Sequence, residues 1–193
     1  MTKEVTSKEN RIIGTTIMLF IIGFFTGSMP EISILLIIFN CSLAILSGLV
    51  FLNIWKKTKH DSKRYFSLFS YVMFNCIAIY FAIPFLRLNF LTISFWLGII
   101  MLLLMVTLPY IYSREILFGV KKPNRSKLGK IYLIFSILVV VFGSSLFRDS
   151  MYSDGNPMGV SIYTFMAACI LLFLAPIMLI NPNEEKERKR VRN

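Results

Sequence analysis

Six stretches of this 193-residue chain contain no Asp, Glu, Lys, Arg or His: 12–29, 32–55, 65–86, 90–112, 131–147 and 160–180. They are 17 to 24 residues long and together hold 125 residues. A helix needs about 20 apolar residues to cross a hydrocarbon layer roughly 30 Å thick. Backbone groups in lipid have no water to bond, so each stretch is expected to bond to itself as a helix. Closed barrels would show alternating polarity in segments of about 10 residues, which is not the pattern here. The expected fold is all-α: a polytopic bundle of six transmembrane helices, flanked by a short N-terminus (1–11) and a basic tail (181–193).

The charges that remain are distributed unevenly. Of 21 Lys and Arg residues, 19 fall in segments 1–11, 56–64, 113–130 and 181–193; the intervening connections hold only Arg87 and Arg148. Basic residues near helix ends mark the cytoplasmic side. Both termini are therefore expected inside a bacterial plasma membrane. The formal charge of +11 then reads as an orientation signal and an attraction to anionic lipid heads. No nucleic-acid-binding motif accompanies it, and no nucleic-acid partner is expected. Lys56, Lys57, Lys121, Lys122 and Arg125 are the expected membrane-surface anchors. In 113–130, Ile116, Leu117, Phe118 and Val120 would dip into the interface while the cations reach headgroups. The first stretch lacks an Ala-x-Ala cleavage site and is expected to stay as helix 1 rather than be removed.

Several chemistries lack the residues they need. Ion coupling uses carboxylates, His or Lys inside the spans. A zinc protease needs a His-Glu-x-x-His cluster, and the chain has one histidine, His60. Cys76 lies 11 residues beyond Tyr65, about 16 Å deeper along a helix, out of reach of His60. Cys41, Cys76 and Cys169 read as small packing residues rather than a disulfide or a soft-metal site. No enzyme activity, cofactor or metal is expected.

What remains is packing and recognition. Gly23 and Gly27 form a Gly-x-x-x-Gly, Ala44 and Gly48 a second small-residue pair, and Gly143 begins a Gly-Ser-Ser cluster. Such residues let helices approach closely in lipid. They serve packing within the bundle or a groove for a helix of another protein. Asn40 and Asn75 are the notable intramembrane amides. They are expected to face one interior and to bond to each other, because an unpaired amide in hydrocarbon costs on the order of 2–7 kcal/mol. The expected outer connections total 17 residues against 51 inside, too few for a soluble-ligand cap. A partner would then be met within the membrane or from the cytoplasm.

Ile is abundant (26 residues) and Ala scarce (6), a bias of AT-rich genomes. The Ile/Phe-rich spans, the basic inner loops, the outer loop at 151–157 and the basic tail resemble small six-helix membrane proteins encoded in type VII secretion loci of staphylococci. The resemblance covers all six spans and includes no diagnostic motif. It implies an immunity protein that binds and neutralises a secreted toxin inserting into, and depolarising, the membrane. The alternative is a substrate-binding or structural subunit of an energy-coupling-factor transporter or a secretion complex. For a transporter ligand, Glu31, Arg87, Asn89, Arg148 and Asp149 would supply the outer polar contacts.

Overall fold

The computed structural model describes residues 4–7, 9–29, 31–121, 127–152 and 157–180. Seven α-helices follow in order: α1 (Ile12–Ser28), α2 (Ile34–Thr58), α3 (Ser62–Leu88), α4 (Ile93–Ile111), α5 (Ser113–Lys121), α6 (Lys127–Tyr152) and α7 (Pro157–Leu174). A 3₁₀ turn, Ala175–Leu179, closes the series. The described residues contain no strand.

Five of these elements are long and apolar enough to cross a membrane: α2, α3, α4, Gly129–Leu146 of α6, and Pro157–Leu179. They fit a multi-pass membrane protein. The sixth expected span, α1, is apolar but has 17 residues, about 25 Å of helix. It stops where Met29 turns extended, as a residue before proline must.

Helix boundaries depart from the apolar runs for identifiable reasons. α3 begins at Ser62, because Asp61 caps it by accepting from the Arg64 N–H at 3.3 Å. α4 begins after Thr92, whose hydroxyl accepts from the Phe95 N–H. α6 extends through Arg148 to Tyr152 and α7 begins at Pro157, so the described residues of the segment between the fifth and sixth apolar runs are helical. Segment 113–130, read as a loop, contains the amphipathic α5. α7 gives way to 3₁₀ geometry at Pro176, whose missing N–H cannot continue the α ladder. Asp154-Gly155-Asn156-Pro157 reads in the sequence as a turn, and Glu184–Arg188 and Glu185–Lys189 as i,i+4 pairs of the tail; the first falls mostly, and the pairs wholly, outside the described residues.

α3 is the central element. One side packs with α1 and α2 through Leu19, Ala44, Phe51, Tyr65, Phe69, Cys76 and Tyr80. Another packs on α7 through Ala78, Ala82, Phe165, Ala168, Cys169 and Leu172. α4 and α6 flank α7 at the periphery. Only 11% of the α4 span and 12% of the α6 span is buried, against 39% for the α7 segment. Their exposed large side chains are mostly Ile, Leu, Val, Phe and Trp, a composition suited to a lipid-facing surface.

The α1–α2 pair depends on glycine. A Cβ on Gly27 would lie 2.9 Å from the Ile37 backbone nitrogen, and one on Gly23 would lie 3.1 Å from both Asn40 Cβ and Tyr80 Cζ. Gly14 on the same helix has open space around it. Gly27→Ala is therefore expected to destabilise the bundle by about 1–3 kcal/mol, the cost of overpacking a tight contact. Gly14→Ala should be neutral or stabilising by up to about 1 kcal/mol, because alanine favours the helix. Thermal unfolding in detergent micelles, followed by circular dichroism, compares the two.

Candidate functional site

Three buried polar side chains, Thr26, Asn40 and Ser47, lie where α1, α2 and α3 meet. Asn40, on α2, is fully buried. Its amide Nδ2 donates to the Gly23 carbonyl at 2.9 Å and to Thr26 Oγ1 at 3.3 Å. Thr26 in turn donates to the carbonyls of Ile22 and Gly23. Tyr80, also fully buried, donates from α3 to the Asn40 backbone carbonyl at 2.8 Å. Glycine at 23 is what lets the amide reach that carbonyl. Asn40 Oδ1 is buried and accepts no bond from the described residues, a cost of about 1–3 kcal/mol for an unsatisfied acceptor.

The expected Asn40–Asn75 bond is not formed. Asn75, in the middle of α3, donates to the Tyr71 carbonyl one turn back at 2.8 Å. The α3 face that meets α2 is occupied by Cys76 and Tyr80 instead. Cys76 accepts from the Ser47 hydroxyl at 3.5 Å. Asn75 is one turn from Tyr71, whose hydroxyl lies 2.6 Å from that of Tyr110 on α4.

The small residues face inward. Gly23 and Gly27 meet α2, Ala44 is fully buried, and Gly48 meets Thr16 of α1. A Cβ on Gly143 of α6 would collide with the Tyr163 ring of α7. Of the two roles weighed for these residues, packing within the bundle is the one the contacts realise. No open groove lies along Gly23 and Gly27.

Arg87 closes one end of the assembly. From the last turn of α3, its Nη1 donates to the carbonyls of Met29 (2.8 Å), Glu31 (2.9 Å) and Gly27 (3.4 Å). The last carbonyls of a helix have no partner within it and carry the negative end of its dipole. The guanidinium meets one such carbonyl of α1, that of Gly27, and two in the turn beyond it. Nearby Asn89 is buried and donates to the Phe85 carbonyl at 2.9 Å.

The opposite end collects both ends of the described chain. Val5 is buried, its N–H donates to the Lys59 carbonyl at 2.7 Å, and its carbonyl accepts from Trp55 Nε1 at 3.0 Å. Tyr65 donates to the Asn10 carbonyl at 2.6 Å, and Arg11 lies over the Phe66 ring. Glu4 pairs with Lys59 and with His60. From α3, Arg64 donates to the Leu179 carbonyl at 2.7 Å, and Ser67 donates to that of Met178. α5 packs against this same 3₁₀ turn. Lys56 and Lys57 are exposed in the last turn of α2, and Lys121 closes α5. Lys122 and Arg125 lie outside the described residues.

Chemically, this arrangement holds helices together. Cys76 is bonded to a serine, while His60 stands exposed beside Glu4. Among the described residues no three His, Cys, Asp or Glu side chains converge as metal ligands. Sequence reasoning singled out Asn40 and the glycines but passed over Tyr80, Trp55 and the clamping role of Arg87. The available signal was the isolation of Arg87 among outer residues. No protein-family model, curated protein or solved structure matches the chain.

Removing the guanidinium by Arg87→Gln is expected to cost about 1.5–3 kcal/mol, as for hydrogen bonds made by a charged group. Arg148→Gln, at an exposed position, should change stability by less than about 0.5 kcal/mol. Equilibrium unfolding of both variants in the same micelles checks the difference.

Proposed function

We propose that the chain is a multi-pass plasma-membrane immunity protein, which binds and neutralises a membrane-inserting, depolarising bacterial toxin through intramembrane helix contacts. The observation that carries the reading is the absence of Asp, Glu, Lys, Arg and His from the six apolar runs. Such a bundle is suited to recognising apolar helices and lacks the groups that catalysis or ion coupling use. In this reading α1 is the sixth span, and the end holding Val5, Lys59 and Leu179 faces the cytoplasm. The gathering of segments 56–64 and 113–121 with both described chain ends supports that orientation. Because the glycines of α1 and α2 are filled from within, the toxin would meet the outward apolar faces of α4 and α6.

The transport alternative draws on outer polar residues as ligand contacts. Two of them are already engaged: Arg87 by three carbonyls and Asn89 by Phe85. This favours the binding reading.

Co-expression with the secreted protein encoded beside this chain is the test. Membrane potential, read by a voltage-sensitive dye, should be preserved when both are made and lost when the toxin is made alone. Equal depolarisation in both cases, with no complex captured, sinks the immunity reading. A saturable vitamin-binding signal from the purified protein would favour transport instead.

A further inference from the structure

Helix α5 carries two surfaces of different kinds. Ile116 and Gly119 are buried, where α5 packs on α6 and the 3₁₀ turn. Arg114 and Phe118, one turn apart, are exposed, and Phe118 shows 50% of its surface. The corner before α5 adds Ile111 and Tyr112, which are 72% and 49% exposed. Lys130, exposed in the first turns of α6, lies on the element packed against α5. An apolar edge of this kind beside cations is poorly placed in water and poorly placed in hydrocarbon. It suits the boundary between them, where rings enter the acyl region and cations meet phosphates.

The charge balance selects the lipid. Segment 113–130 holds six Lys and Arg residues against one acidic residue, Glu115, which is also exposed. Clusters of four to eight cations beside a membrane helix attract anionic headgroups. The geometry points to α5 as an anionic-phospholipid-binding helix, with Phe118 seated in the interface and Arg114 and Lys130 on lipid phosphates. This inference rests on the membrane-spanning reading and names the lipid class its inner surface takes. It also gives α5 a mechanical role. α4 and α6 are weakly buried, and α5 connects both to the 3₁₀ turn held by Arg64 and Ser67. Seating α5 on headgroups would hold the two peripheral helices at the core.

Hydrogen exchange of α5 in the full-length protein tests this, in nanodiscs of phosphatidylglycerol and of phosphatidylcholine. Amides of 113–121 should exchange about fivefold more slowly in the anionic discs. The double substitution Arg114→Gln/Lys130→Gln should remove that difference, while Arg114→Lys/Lys130→Arg should keep it. Exchange in α3 serves as the folding control. Equal protection in the two lipids, or a difference that survives the Gln substitutions, overturns the proposal and leaves the membrane-spanning reading intact. Failure of the protein to enter discs of either lipid overturns both.

Discussion

Five side chains of α3 donate hydrogen bonds to backbone carbonyls of other elements. Arg64 and Ser67 hold the C-terminal 3₁₀ turn, Tyr65 holds the N-terminal segment, Tyr80 holds α2, and Arg87 holds the α1–α2 turn. Between helices in lipid, the hydrophobic effect offers no net drive. Helix ends and exposed turns, however, leave carbonyls that need donors. α3 supplies those donors at both of its ends and near its middle. The apolar contacts are arranged around the same helix, with α1 and α2 on one side and α7 on another. Both ends of the described chain and the first hairpin are thus registered against one element.

Much of this was legible in the sequence, and the part that was not has a common cause. The apolar runs located the five helices long and apolar enough to cross a membrane, because exclusion of charge from lipid acts on each residue separately. The helix ends were less visible. Asp61, Thr92 and Pro176 set boundaries through capping and a missing donor, effects that do not follow hydropathy. Asn40 was correctly expected to turn inward, since an amide at that depth requires protein. Its partner was misassigned because most long-range side-chain hydrogen bonds among the described residues end on a backbone carbonyl. Every residue offers such a carbonyl, so side-chain identity gives no hint of which one is used. Asn75 illustrates the limit: it satisfies part of its amide on its own helix, an option equally open to any Asn in a helix.

The glycines carry the functional consequence. A small-residue stripe is compatible with intramolecular packing or with an intermolecular groove, and sequence alone leaves both open. Here Gly27 lies against the Ile37 backbone, Gly48 against Thr16, and Gly143 against Tyr163. The close approaches are used up in building the bundle. A membrane partner would therefore meet branched and aromatic side chains on α4 and α6, where association rests on shape and dispersion over a broad face. Such a surface tolerates exchange among apolar residues more readily than a glycine groove tolerates any added carbon.

The shortness of α1 is resolved by the same carbonyl logic. Its 17 residues supply about 25 Å of helix, several ångströms less than a typical hydrocarbon layer. Neither end of the helix is left bare. At one end Asn10 accepts from the Ile12 N–H and passes its own carbonyl to Tyr65. At the other, Arg87 takes the carbonyls of Gly27, Met29 and Glu31. The backbone beyond each end is thus satisfied by protein, the condition under which irregular chain is tolerated at membrane depth. α3 thus supplies hydrogen bonds near both ends of the 17-residue α1 that α1 cannot provide for itself.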